Sequence, residues 1–73
     1  MMIKPGIYRH YKSKLYEVLN IAIQSETLEE MVVYKALYSS EFGDHCLWVR
    51  PLSMFVEKLE IGEKLVDRFS YEG

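Results

Sequence analysis

Asp44, His45 and Cys46 follow one another in the chain, and their side chains invite a catalytic or metal-binding interpretation. A Cys–His pair acts as a nucleophile only when both side chains lie within hydrogen-bonding reach. Neighbours on an extended strand, however, point to opposite faces. A tetrahedral zinc site needs three or four ligands, and the only soft candidates are His10, His45 and Cys46. The triplet therefore predicts neither a catalytic residue nor a metal site, and Cys46 is expected to pack as a small apolar residue.

The sequence also lacks the other common signatures of enzymes. It contains no Gly-rich phosphate loop, no paired-carboxylate motif and no dinucleotide fingerprint. A small barrel has no room for a deep interior cavity once side chains fill its core. We therefore expect a protein that is not an enzyme and that uses no cofactor.

Aromatic and basic side chains suggest a different chemistry, which is recognition of a partner. In "CLWVRP", Leu47 and Val49 share one face of an extended strand. Trp48 and Arg50 share the other face, and they lie outward if the aliphatic face is buried. Aromatic floors with basic side chains are used by peptide-binding SH3-type grooves and by platforms for single-stranded nucleic acid. The predicted partner-binding residues are Tyr8, His10, Tyr34, Trp48 and Arg50.

Two other interpretations of these residues stay open. In the first, Trp48 closes one end of the core while Arg50 pairs with Glu26 or Glu57, which would make both residues structural. In the second, the surface is the interface of a homodimer, because domains this small often gain stability by oligomerising.

Length and charge set further limits. The chain has 73 residues, so we expect one domain over residues 1–73, burying only about 60% of the surface of the unfolded chain. A single Cys excludes an internal disulfide and is typical of the reducing cytoplasm. The net charge of −2 gives no global attraction for nucleic acid. The first hairpin is nevertheless basic, through Arg9, Lys12 and Lys14, which makes weak nucleic-acid binding the alternative function.

The hydrophobic pattern predicts an all-β protein. The segment "IKPGIYRHYKSKLYEVLNIAIQS" (residues 3–25) predicts two strands joined at "KSK", "SETLEE" predicts a turn, and "MVVYKALY" predicts a third strand. After the predicted loop "SSEFGDH", "CLWV" predicts a strand that Pro51 ends, and "PLSM" predicts a single helical or 3₁₀ turn. "FVEKLEI" and "LVDRFSYEG" then predict a closing hairpin. A barrel of about five or six antiparallel strands is expected, because closure removes exposed sheet edges.

The segments "GIYRHYK", "LYEVLNIA", "SET", "VVYKALY" and "LWVRPLSMF", in this order, resemble the bacterial family called domain of unknown function 1653. The resemblance covers Gly6 to about Tyr71. It implies an SH3-like small barrel, and it brings no catalytic residue because the activity of the family is unassigned. Two positions depart from the family pattern: Ser13 replaces the usual Gly, and Ile23-Gln24 replace the usual Arg-His pair.

Together, these observations predict a non-catalytic, cytoplasmic interaction module that binds a protein or peptide, with self-association as a homodimer left open. The alternative is a weak nucleic-acid binder that uses Arg9, Lys12 and Lys14 with the aromatic face. The salt dependence of binding separates them, because each phosphate contact releases counterions.

Overall fold

A computed structural model describes residues 3–73, which form nine short strands and one helical turn. The strands are β1 (Gly6–His10), β2 (Leu15–Ile23), β3 (Glu30–Ala36), β4 (Ser39–Ser40), β5 (Gly43–Asp44), β6 (Leu47–Pro51), β7 (Lys58–Ile61), β8 (Lys64–Asp67) and β9 (Phe69–Tyr71), and α1 spans Leu52–Phe55. The predicted all-β class with one short helical turn is confirmed. Over the described residues, no helix is long and apolar enough to cross a membrane.

Five strands form one antiparallel sheet in the order β6-β3-β2-β1-β9, while β4–β5 and β7–β8 are separate hairpins. The sheet is open rather than closed into the predicted barrel, because β6 and β9 are both edges and do not pair within residues 3–73. The side chain of Phe55, at the end of α1, covers the core in place of a closing ladder. Its ring stacks on that of Phe69 with centroids 4.1 Å apart.

The β1–β2 hairpin turns through three residues. The Ser13 N–H donates to the His10 carbonyl at 2.7 Å, and the His10 N–H donates to the Lys14 carbonyl at 2.8 Å. Three-residue hairpin loops of this kind place their last residue in the left-handed region, and Ser13 has φ +88°. Gly adopts this conformation without steric cost. The geometry of this turn would therefore suit Gly better than the Ser13 of this chain.

Strand β2 contains a bulge at Leu19. Val18 pairs with Tyr34, but the next partner of β3, Val33, pairs with Asn20. The extra residue changes which positions point inward, because side chains alternate with a period of two. This accounts for the imperfect alternation of the sequence over residues 15–23.

The core lies under one face of the sheet, which we call the inner face. The apolar residues that are buried there are Tyr8, Val18, Val32, Tyr34, Ala36, Phe55 and Phe69. Leu47 and Val49 lie on the outer face and are 61% and 60% exposed. The expected orientation of β6 is therefore wrong: Trp48 and Arg50 point inward, because their large side chains fill the space under the open sheet better than short aliphatic ones.

The C-terminal segment also differs from its prediction. "LVDRFSYEG" is interrupted at Arg68, whose N–H donates to the Glu57 carbonyl at 3.2 Å and whose carbonyl accepts from Tyr11 N–H at 2.9 Å. β8 therefore pairs with β7, whereas β9 pairs with β1. The predicted loop "SSEFGDH" contains the two-residue strands of the β4–β5 hairpin.

Candidate functional site

The ladders bring aromatic rings of four strands together on the inner face. His10 on β1 lies opposite Phe69 on β9, and their ring centroids are 4.9 Å apart. Tyr16 on β2 and Tyr34 on β3 each meet Phe69 edge-on, with centroids 5.6 Å away. Edge-to-face packing is the favoured geometry for aromatic pairs. Phe69 is therefore the centre of this cluster.

Arg50 joins the cluster from β6. Its Cζ lies over the Phe69 ring, 5.9 Å from the centroid, and its Nε donates to the Tyr34 hydroxyl at 3.4 Å. Arg9 and Arg68 bind Glu72 and Glu57, each at 2.7 Å. Arg50 forms no salt bridge with any residue of 3–73. It is half-buried, so its charge is partly removed from water without a carboxylate to balance it.

His10 is neutral at pH 7 in this setting. The pKa of its ring is lowered by burial first, and then by the positive charges of Arg50, Arg68 and Lys12. Its Nδ1 accepts the backbone N–H of Lys12 at 3.2 Å. The neutral ring therefore has its proton on Nε2, which is a hydrogen-bond donor.

Tyr16 adds a hydroxyl at the margin of the cluster. It shares a hydrogen bond with the hydroxyl of Tyr38. Burial, followed by this hydrogen bond, raises the pKa of Tyr16. The phenol therefore stays protonated at neutral pH and contributes no negative charge. We call His10, Tyr16, Tyr34, Arg50 and Phe69 the cationic–aromatic surface.

Three of the five predicted partner-binding residues, His10, Tyr34 and Arg50, belong to this surface. Tyr8 is a buried core residue whose hydroxyl donates to the Lys4 carbonyl at 2.8 Å. Trp48 packs against the core, and its ring meets the exposed Phe42 edge-on at 5.3 Å. Tyr8 and Trp48 thus lie outside the cationic–aromatic surface.

Sequence reasoning missed Phe69 and Tyr16. Phe69 follows Arg68 in a segment that the sequence predicts to be one continuous strand. That prediction gives no sign that the residues after Arg68 form a separate strand that pairs with β1. Tyr16 carried a usable signal, because the "KSK" turn sets it opposite Tyr8 in the β1–β2 hairpin.

The basic first hairpin is partly neutralised. Arg9 is tied to Glu72, whereas Lys12 lies over the Tyr11 ring at 5.7 Å and Lys14 over the Tyr38 ring at 4.9 Å. Neither lysine forms a salt bridge with residues 3–73. Two cations of the predicted nucleic-acid surface are therefore free of carboxylates, and one is not.

The Asp44-His45-Cys46 triplet does not assemble a reactive pair. The His45 Nδ1 is 2.8 Å from an Asp44 carboxylate oxygen, while the Cys46 thiol contacts the Leu47 carbonyl at 3.6 Å. No group of three or more His, Cys, Asp or Glu side chains in the part of the chain that the structure describes is arranged to hold a metal.

A groove of about 530 Å³ lies elsewhere, beside α1, and is lined by Glu29, Glu30, Leu52, Ser53 and Val56. Its lining is apolar with two carboxylates and contains no cationic side chain. It is thus unsuited to an anionic ligand.

Comparison with known proteins places this geometry in a family. A model of a family described as a protein of unknown function, DUF1653, matches residues 6–71. A crystal structure of a DUF1653 protein from Bordetella bronchiseptica is similar, with 38% identity and a TM-score of 0.88, covering 99% of this chain and 90% of the other. No curated protein matches. The family match over nearly the whole chain shows that this protein belongs to the DUF1653 family.

Proposed function

We propose that this protein is a non-catalytic interaction module that binds a protein or peptide through the cationic–aromatic surface. His10, Tyr16 and Arg50 are half-buried and so remain partly accessible, whereas Tyr34 and Phe69 form a rigid floor beneath them. Rigid aromatic side chains with an adjacent arginine are typical of the residues that dominate binding energy in interfaces.

The observation that carries this proposal is the unbalanced charge of Arg50. Removing a charge from water is costly unless a partner compensates it, yet among residues 3–73 Arg50 has only a long hydrogen bond to Tyr34 and its contact with the Phe69 ring. The interpretation that Arg50 pairs with Glu26 or Glu57 has no support in the geometry, because Glu57 binds Arg68 and Glu26 accepts from Ser25. A partner that covers Arg50 and supplies acceptors would satisfy it.

Replacing Arg50 tests the proposal. We expect Arg50→Ala to melt within a few degrees of the wild type, because it leaves no buried carboxylate behind, and to lose its partner in an affinity pull-down from the native cytoplasm. Arg9→Ala is the matched control, since it removes the same charge from an exposed ion pair. It should keep the partner.

A drop in melting temperature of more than about 10 °C for Arg50→Ala, or unchanged capture of the partner, would refute the proposed role. Light scattering on the same variants tests self-association. If the bound partner is a second copy of this chain, Arg50→Ala will shift the molecular mass from dimer to monomer while Arg9→Ala will not.

Weak nucleic-acid binding is the second candidate, and the free charges of Lys12 and Lys14 favour it. Contacts from about three cations would give a log–log salt slope of roughly −2 to −3. Nuclease treatment would then remove the captured material, and the double variant Lys12→Ala/Lys14→Ala would lose more binding than Arg50→Ala. The opposite ranking of the variants supports a peptide or protein partner.

A further inference from the structure

We propose that the cationic–aromatic surface recognises an oxyanion of its peptide partner, a carboxylate or a phosphate, between Arg50 and His10. This inference rests on the proposed function and names the chemical group that would be bound. Three independent features of the inner face support it: an excess of positive charge, a set of unused hydrogen-bond donors, and a ring that titrates.

The positive charge of the region exceeds its negative charge. Arg50 from β6, Arg68 from the β8–β9 junction and Lys12 from the β1–β2 turn all act on the ring of His10. Glu57 is the one carboxylate paired with any of these groups among residues 3–73, and it is bound to Arg68. Like charges near one another in a partly desolvated site repel, so an added anion would relieve the repulsion.

The donors of this region are incompletely used. Arg50 has five N–H donors, and its single hydrogen bond within the described chain is the 3.4 Å contact with Tyr34. The Nε2–H of His10 donates to no acceptor among residues 3–73, and the Nε of Arg68 is buried without a hydrogen-bond partner there. Buried donors in proteins almost always have partners. An oxyanion that accepts two hydrogen bonds side by side is the acceptor that best matches a guanidinium fork.

The aromatic floor restricts how the ligand can approach. One face of Phe69 is stacked on Phe55, and the rings of His10, Tyr16 and Tyr34 form T-shaped pairs with Phe69 at centroid distances of 4.9–5.6 Å. Arg50 lies over this ring, so its guanidinium is held by packing rather than by an ion pair. A pre-positioned guanidinium loses less conformational entropy on binding an anion than a mobile one does.

Binding of an oxyanion here is coupled to the protonation of His10. In the free protein burial and three cations disfavour the imidazolium, so a nearby anion raises the pKa of the ring. By linkage, a carboxylate, which keeps its own charge in this range, must then bind more tightly as the pH falls from about 7 to about 5.5, by up to roughly tenfold for each unit of pKa difference. Tyr11 and Tyr16 are the other titratable rings against His10, and burial raises the pKa of Tyr16, which therefore stays neutral in this range.

The test is an NMR pH titration of the two histidine rings. The probes are N-acetyl-phenylalanine, its uncharged amide, and inorganic phosphate, each at equal ionic strength adjusted with chloride. We expect at least one of the two anions to raise the pKa of His10, and the amide to leave it unchanged. His45, which is exposed and bonded to Asp44, is the internal reference and should not respond. A response to the carboxylate identifies a peptide carboxylate as the ligand, and a response to phosphate alone identifies a phosphorylated residue.

Variants establish where the anion binds. Arg50→Ala should abolish the response of His10, and Arg50→Lys, which keeps the charge but loses the fork, should weaken it several-fold in apparent affinity. The inference is overturned if neither anion moves the pKa of His10, if the amide moves it equally, or if Arg50→Ala responds like the wild type.

The two proposals can fail separately. If an anion moves His10 through Arg50 but capture of the partner is indifferent to Arg50→Ala, the proposed function fails and the oxyanion site stands. If capture depends on Arg50 but the pKa of His10 does not respond to either anion, the oxyanion site fails and the proposed function stands.

Discussion

Along β3 and β6, side chains alternate between the two faces of the sheet, and the two faces differ in which side chains they bury. On the inner face, Val32 is fully buried and Trp48 and Arg50 are packed against the core or its rings. On the outer face, Leu47 and Val49 are mostly exposed. Hydropathy alone would assign these faces the other way round. On β6 the large side chains of Trp48 and Arg50 fill the space under the sheet, and the aliphatic Leu47 and Val49 remain outside.

The largest effect on stability should come from Phe55, whose side chain covers the core under the inner face. Phe55→Ala removes the ring that stacks on Phe69, and burial losses of this kind cost about 3–5 kcal/mol. A chain of this length has a total stability of roughly 4–11 kcal/mol, so we expect the variant to lose a large fraction of it. Met54→Ala, at the neighbouring and exposed position of α1, is the control and should cost less than about 1 kcal/mol. Chemical denaturation measures both, and equal losses would mean that Phe55 does not close the core.

Two valines compare the faces directly. Val32→Ala on the inner face should lower the free energy of unfolding by about 2 kcal/mol, because two buried methyl groups and their contacts are lost. Val49→Ala on the outer face should cost less than about 0.5 kcal/mol. Thermal melts of the pair provide the measurement. If Val49→Ala proves the more damaging variant, the outer face is covered in solution, and β6 belongs to an interface between molecules.

Ser13 lies in the β1–β2 turn and on neither face, so it isolates a backbone effect. Its left-handed conformation costs about 1–2 kcal/mol for a residue with a Cβ, and replacing Ser13 by Gly removes this strain. The greater freedom of Gly in the unfolded chain opposes the gain by about 0.5–1 kcal/mol. Ser13→Gly should therefore raise stability by roughly 0.5–1 kcal/mol, or a few degrees in melting temperature. Ser13→Ala, which keeps the Cβ, should give no gain, and a gain equal to that of Gly would disprove the strain.

The smallest expected effect on stability concerns His10, whose titratable ring lies on the inner face. Its pKa is lowered in the folded state, mainly by burial, so the unfolded chain binds its proton first as the pH falls. The wild type should accordingly lose stability relative to His10→Gln between pH 7 and pH 5.5, below the ordinary histidine pKa of about 6.5. Melting temperatures of the two proteins across this range give the difference, and parallel curves would show that the ring is not perturbed.

The sequence predicts those elements of the fold that depend on local interactions, and it does not predict those that depend on residues distant in the chain. β3 and β6 were anticipated because "VVY" and "LWV" are short strand-forming runs, and α1 because Pro51 suits the start of a helical turn. The orientation of β6 was not, since it depends on Phe55 and Phe69, which are distant in the chain. The break at Arg68 was equally hidden, because it is created by hydrogen bonds to Glu57 and Tyr11.

The site was anticipated only in part for the same reason. His10, Tyr34 and Arg50 were selected by residue type, and the ladders do bring them together. The lack of a salt bridge between Arg50 and any carboxylate of residues 3–73 is what makes the cluster functionally suggestive. That property arises because Glu57 forms its salt bridge with Arg68. The spacing of these residues in the sequence does not predict which arginine Glu57 binds.

Pro51 has a consequence for the behaviour of this protein at high concentration. The Ala36 N–H donates to the Cys46 carbonyl, and the alternation of an antiparallel ladder then turns the backbone groups of Leu47, Val49 and Pro51 toward the free edge of β6. With apolar Leu47 and Val49 beside it, such an edge is a template for intermolecular sheets. Because Pro51 has no N–H to offer, the ladder that a foreign strand can build there stops after Val49. Pro51 therefore limits the growth of fibrils at the exposed edge of β6.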